Sequence, residues 1–68
     1  MRVEVDSYRY ANEHGHRPRG FGSWAFGPSW NCKPEEIIWV HMSKYGDAKR
    51  KAQAIAAERN LPMIVVLP

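Results

Sequence analysis

The chain opens on alternating apolar and charged residues, a pattern typical of a half-buried β-strand. Val3 and Val5 share one face of this first strand, whereas Tyr8 and Tyr10 fall on the opposite face. The face on which the apolar side chains lie therefore changes near Ser7. Either the strand carries a bulge there, or the tyrosines lie on its outer face.

Two further strands are predicted after a loop. Residues 12–20 hold two glycines and a proline among mostly polar side chains, which indicates a loop. Trp24 and Phe26 then alternate with small residues, so we predict that they share one face of a second strand. Residues 36–42 are dense in β-branched and aromatic side chains and predict a third strand.

A helix is predicted after the third strand. Ser43 is a suitable N-cap, and Asp47 lies in the first turn, where the helix dipole favours an acid. An apolar face recurs at helical spacing, and its members are Tyr45, Ala48, Ala52, Ile55, Ala56 and the aliphatic stem of Arg59. Asn60 can end the helix, and Pro62 cannot continue it.

The last segment completes the predicted fold. Residues 63–67 are apolar on both faces, so we predict a central strand, reached by a right-handed crossover if strands three and four are parallel. The fold class is then α+β: a small, mostly antiparallel sheet of three to four strands in the order β-β-β-α-β, with one helix packed on one face. A chain of 68 residues has no room for a second core, so we predict a single domain over residues 1–68.

Composition adds a modest positive charge. The formal net charge of +3 favours an acidic partner without requiring one. The single Cys32 cannot form an intrachain disulfide, and no apolar stretch approaches the roughly 20 residues that cross a bilayer. The first residues also lack a signal-peptide core. We therefore expect a cytoplasmic protein with no membrane partner, and a domain this small can form a homodimer.

The segment from Arg17 to Phe26, here called the arginine-aromatic segment, holds two arginines, three aromatic residues and two glycines. The mixture suits contact with something flat, negatively charged, or both. The proline between Arg17 and Arg19 favours extended backbone. From such a backbone the arginines can bind phosphates or acidic side chains. The alternative is that both lie in a solvated loop without a partner. Phe21 lies between glycines and is expected to be exposed, whereas Trp24 can serve either the core or a contact.

Part of this segment is similar to the RNP1 signature of RNA-recognition motifs and to the related cold-shock segment. Residues 19–22 read Arg-Gly-Phe-Gly and are followed by Phe26. The resemblance implies exposed rings that stack on unpaired bases and an arginine that contacts phosphate. Ser23 stands where the signature has an aromatic residue.

A longer stretch, residues 17–56, resembles AP2-type DNA-binding domains. It shows Arg-x-Arg-Gly-x-Gly-x-Trp, then Ile-Trp-Val, then a tyrosine followed by spaced alanines. That family packs a three-stranded sheet on one helix and contacts DNA through arginines and tryptophans on the sheet. The resemblance implies contacts at Arg17, Arg19 and Trp24, with Trp39 as a further one. The family's acidic strand residues are absent here, and the C-terminal strand is additional.

The pattern His-Gly-x-x-Pro-Arg-Gly-x-Gly-x-Trp-x-Phe over residues 14–26, followed by the alanine-rich helix over 45–57, is also similar to small uncharacterised proteins of phages and other mobile elements. This resemblance implies an accessory protein that acts on host or phage macromolecules. It implies no particular activity.

Catalytic and metal sites are not expected. His14, His16, Cys32 and His41 are zinc-type ligands, but their spacing matches no established zinc pattern. The alternative is two polar loop histidines and one strand histidine whose hydrogen bonds are satisfied. The adjacent carboxylates at positions 35 and 36 would face opposite ways in a strand, which is unhelpful for acid-base chemistry. We predict a non-enzymatic protein without cofactor or metal.

The leading hypothesis is a small binding domain that engages nucleic acid or a nucleoprotein complex. Its predicted contact residues are Arg17, Arg19, Phe21, Trp24, Lys49 and Arg50. The rival is a protein-protein modulator that inhibits a host complex, of anti-defence or anti-CRISPR type, and binds an acidic protein surface, because Trp, Tyr and Arg also dominate interface hot spots. A third possibility is a self-associating structural domain.

Overall fold

The computed structural model describes residues 2–68, which form four strands and two α-helices. In chain order the elements are β1 (Glu4–Asp6), α1 (Tyr8–His14), β2 (Phe21–Gly27), β3 (Ile38–Lys44), α2 (Tyr45–Glu58) and β4 (Met63–Val66). A single 3-10 turn, Pro34–Glu36, lies between β2 and β3. No helix within residues 2–68 has the length and apolar character needed to span a membrane.

The strands form one mixed sheet in the order β1-β4-β2-β3. β2 pairs antiparallel with both β3 and β4, whereas β1 pairs parallel with β4. β3 and β4 therefore run in the same direction on either side of β2, and α2 connects them by crossing over that strand. The predicted α+β class, the mostly antiparallel four-stranded sheet and the internal position of the last strand are all confirmed.

The predicted order β-β-β-α-β, with one helix, needs a correction at residues 8–14. These residues form α1, where we expected a continuing strand and a loop. The Tyr8 backbone N–H is accepted by Asp6 Oδ1 at 2.9 Å, and Gly15 ends the helix in the left-handed region with φ of 74°. Tyr10 and His14 stack at 4.0 Å because helical spacing places them one turn apart. Two turns are too few for a helical period to be visible in the sequence.

The core lies between the sheet and α2. Trp24 and Phe26 of β2 are buried, as are two side chains of β3 and three alanines of α2, namely Ile38, Val40, Ala48, Ala52 and Ala56. Val3, Ile64 and Val66 complete the same cluster. The small alanine side chains leave room for the helix backbone to approach the sheet closely.

The opposite face of the sheet is covered only in part. A Cβ at Gly27 would lie 2.6 Å from Cys32 Sγ, so the loop after β2 packs directly on this glycine. Arg9 of α1 places its guanidinium 5.4 Å from the ring centre of Trp30 in the same loop. Towards β3 the face is open, and Trp39 is exposed there.

The two phenylalanines provide a matched test of this core. Phe26 is fully buried and Phe21 is largely exposed. We expect Phe26→Ala to lower the free energy of unfolding by about 3–5 kcal/mol. That is a large share of the roughly 3–10 kcal/mol typical of a chain of this length. Phe21→Ala should change it by no more than about 0.5 kcal/mol. Urea denaturation followed by circular dichroism measures both, and equal losses would contradict the assignment.

Candidate functional site: a basic groove at the start of α2

An open groove of about 530 Å³ lies where β2 and β3 meet the first turns of α2. We call it the basic groove. It is lined by Phe21, Met42, Ser43, Lys44, Asp47, Arg50 and Lys51. Exposed apolar side chains thus lie beside three cations and one acid in a single depression.

A β-bulge shapes the groove. The pairing of β2 with β3 shifts between Gly22 and Trp24, and Met42 on the facing strand has a φ of 52°. Left-handed backbone is rare outside glycine, and here it leaves the Met42 side chain 72% exposed. The bulge therefore turns an otherwise regular strand residue outwards onto the wall of the groove.

Two hydrogen bonds fix the end of β3 and the start of α2. The Trp24 Nε1–H donates to the Ser43 carbonyl at 2.9 Å, and the Tyr45 N–H donates to the Gly20 carbonyl at 2.9 Å. Lys44 occupies the N-cap position, where we had expected Ser43, and its side chain makes no capping bond. The backbone of Gly20 therefore satisfies a helix donor that a capping side chain usually serves.

The groove carries a net positive charge. Lys44, Arg50 and Lys51 face one carboxylate, Asp47, which forms an ion pair with Arg50. Both partners of this pair are more than half exposed, so water screens the attraction and it adds little stability. The positive end of the α2 dipole lies at the same place and reinforces attraction of an anion.

The predicted contact residues lie in different places in the structure, and only two of them line the basic groove. Phe21 is 64% exposed and lines the basic groove together with Arg50, which agrees with the expectation that this ring is accessible. Trp24 is only 5% exposed, with its indole N–H already bonded. Of the two roles that the sequence leaves open for Trp24, this burial favours the core, where the ring supports the strand that presents Phe21.

The remaining predicted residues lie outside the groove. Lys49 lines a second, smaller depression beside β1, together with Arg2 and Gln53. Arg17 and Arg19 are exposed in the loop before β2, on either side of the buried Pro18. A buried proline anchors this loop to the protein, so the two arginines project from a fixed point.

Five groove residues were not among the predicted contacts, namely Met42, Ser43, Lys44, Asp47 and Lys51. Lys44 and Lys51 belong to a basic cluster around the start of the helix, and Lys51 lies four residues after Asp47, on the same helical face. The exposure of Met42 has no signal in the sequence, because it follows from the bulge.

A second exposed feature lies on the open face of the sheet, on β3. Trp39 is 56% exposed, and its ring lies parallel to that of His41, with 3° between planes and 5.8 Å between centroids. Their neighbours on β2 are small: Ala25 pairs with Trp39, and Ser23 Oγ lies 3.4 Å from His41 Nδ1. We call these two rings the aromatic row.

The histidines considered as metal ligands lie apart. His14 and His16 are neighbours, with 6.2 Å between ring centroids, but His41 belongs to the aromatic row. Within the described part of the chain, no three His, Cys, Asp or Glu side chains gather as metal ligands would.

Comparison with known proteins returns no relative. The sequence matches no protein-family model, no curated protein and no solved structure. The resemblances to AP2-type domains, to RNP1 segments and to phage accessory proteins therefore remain predictions.

The Tyr45 side chain, which packs against the core at the start of α2, makes stability depend on pH. Burial raises the pKa of the Tyr45 phenol, and the nearby Tyr10 phenol raises it further. The folded state thus holds this proton more tightly than the unfolded chain, so the stabilisation is complete below about pH 10 and is lost as pH rises through the folded-state pKa. We expect Tyr45→Phe to flatten the loss of unfolding free energy above pH 10, and the exposed-ring control Tyr8→Phe to leave it unchanged.

The indole bond gives a further prediction. Trp24→Phe keeps most of the buried ring but removes the donor to the Ser43 carbonyl. We expect a loss of about 1–2 kcal/mol in unfolding free energy, since a lost hydrogen bond and a small void act together. Trp39→Phe, at an exposed ring, should cost less than about 0.5 kcal/mol. Equal effects of the two substitutions in chemical denaturation would show that the indole bond contributes nothing.

Proposed function

We propose that this protein is a non-enzymatic binding domain that engages nucleic acid, free or within a nucleoprotein complex, through the basic groove. One observation carries the proposal: an exposed phenyl ring lies in an open depression with three cations and a single, already paired, carboxylate. Polyanions are attracted by such a charge balance, and an adjacent ring offers a face to bases.

The charged residues and the aromatic residue of the groove have different roles in this proposal. Lys44 and Lys51 have no acidic partner in the described ion pairs, so they are available to neutralise phosphates and release counterions. Phe21 supplies the stacking or wedging surface. Arg17 and Arg19 extend the positive surface from the loop that leads into β2, where they position the backbone of the ligand.

A protein partner is the second candidate. The exposed Trp39 on an open sheet face favours it, because tryptophan is among the commonest hot-spot residues of interfaces. In that case the domain modulates a host complex by covering an acidic surface, as expected of a mobile-element accessory protein. A stoichiometric partner captured from nuclease-treated host lysate, and lost in Trp39→Ala, would support this candidate.

Charge removal tests the groove directly. We expect the double variant Lys44→Ala/Lys51→Ala to weaken duplex DNA binding and to reduce the slope of log affinity against log salt by about 1.8, because each phosphate contact contributes about 0.9. The matched control Arg2→Ala/Lys49→Ala removes the same charge from the second depression and should keep the wild-type slope. Fluorescence anisotropy between about 50 and 200 mM salt measures both.

Two results would contradict the proposal. Equal slopes for the two double variants would place the contact elsewhere on the protein. Absence of binding to duplex DNA, single-stranded DNA and RNA at about 50 mM salt would exclude nucleic acid as the ligand.

A further inference from the structure

We propose that the aromatic row continues the basic groove into a binding track for single-stranded nucleic acid, in which Trp39 stacks on an unpaired base. This rests on the proposed function and deepens it, because it specifies the strandedness of the ligand. It also assigns a role to Trp39 and His41, which do not line the groove.

The orientation of the two rings suits consecutive bases. Their planes differ by 3°, so a base stacked on one ring is also parallel to the other. Successive unpaired bases of one strand stack in that parallel manner on aromatic side chains. The small side chains of Ser23 and Ala25 beside the row leave the approach to the rings open.

The row leads into the groove along one strand. His41 immediately precedes Met42, and Lys44 at the end of β3 pairs with Phe21. From Trp39 to Lys44 the chain advances about 16 Å at about 3.3 Å per residue. That length accommodates about five nucleotides at the roughly 3.4 Å spacing of stacked bases, which is within the range of known single-strand sites.

The distribution of charge complements this ligand. Cations are concentrated at the groove end of the track, in Lys44, Arg50 and Lys51. The acids of the sheet, Glu4 and Asp6, lie on β1, separated from β3 by two strands. A phosphate backbone along β3 therefore meets positive charge at the groove end of the track and stays away from the acids of β1.

The rings distinguish single strands from a duplex. In a duplex the base faces are already stacked on one another, so an exposed ring gains little from them. An unpaired base gains a stacking partner worth roughly 5- to 150-fold in affinity. The track therefore prefers unpaired bases, whereas the cations of the groove act on either form.

The experiment compares Trp39→Ala with Tyr8→Ala, another strongly exposed aromatic residue that lies on α1, away from β3. The probes are fluorescein-labelled oligothymidylate and oligouridylate of about 12 nucleotides, an abasic oligomer of the same length, and a matched duplex. We expect Trp39→Ala to lose about 5- to 150-fold for both base-bearing single strands and less than about 2-fold for the abasic oligomer and the duplex. Tyr8→Ala should bind all four as the wild type does.

Two further measurements distinguish loss of the stacking ring from loss of folding in the Trp39→Ala variant. Trp39→Tyr should restore most of the single-strand affinity, because a ring is present again. Tryptophan emission of the wild type should be quenched by oligothymidylate, and Trp39→Phe should abolish that quenching, since Trp24 is buried and Trp30 lies under Arg9.

The outcomes separate the two proposals. If the wild type binds single strands with the salt dependence of the groove but Trp39→Ala has no effect, the track is wrong and the groove stands. If Trp39→Ala weakens duplex and abasic binding equally, the ring does not read bases. If no nucleic acid binds and a protein partner depends on Trp39, both proposals fail.

Discussion

The buried indole of Trp24 is the contact on which both the core and the groove depend. Its ring lies 5.0 Å from that of Tyr45 and 5.8 Å from that of Tyr10, so it joins both helices to the sheet. Its N–H holds the Ser43 carbonyl beside the bulge. One side chain therefore packs the interior and fixes the backbone from which Met42 and Lys44 project.

This arrangement divides the aromatic residues between two tasks. Along β2 and β3 the side chains alternate between the core and the open face, with Trp24 and Val40 inside and Trp39 and His41 outside. The bulge shifts the register directly after His41. The residues that follow on β3, Met42 and Lys44, line the groove beside the cations at the start of α2. The same pairing that stabilises the sheet thus places Phe21 beside the cations of the groove and leaves Trp39 and His41 exposed on the same strand as Met42 and Lys44.

Periodic segments were predictable and short or irregular ones were not. The alanine face of α2 and the alternation around Phe26 came directly from the sequence, because each repeats over several residues. α1 escaped prediction because its two turns are set by the Asp6 hydrogen bond and the left-handed Gly15, which leave no apolar period. Of the groove residues, Phe21 and Arg50 were among the predicted contacts, whereas Trp24, for which the sequence left core and contact both open, is buried.

The sequence by itself determined the fold class, the face of α2 that is buried, the accessibility of Phe21 and the positive charge. These follow from local composition and period, which depend on nearby residues alone. Only the tertiary structure decided the strand order, the burial of Trp24 and the meeting of Phe21, Met42, Arg50 and Lys51 in one groove. Those features depend on strand pairing and on a bulge between residues far apart in the chain, and such long-range contacts leave no periodic trace in the sequence.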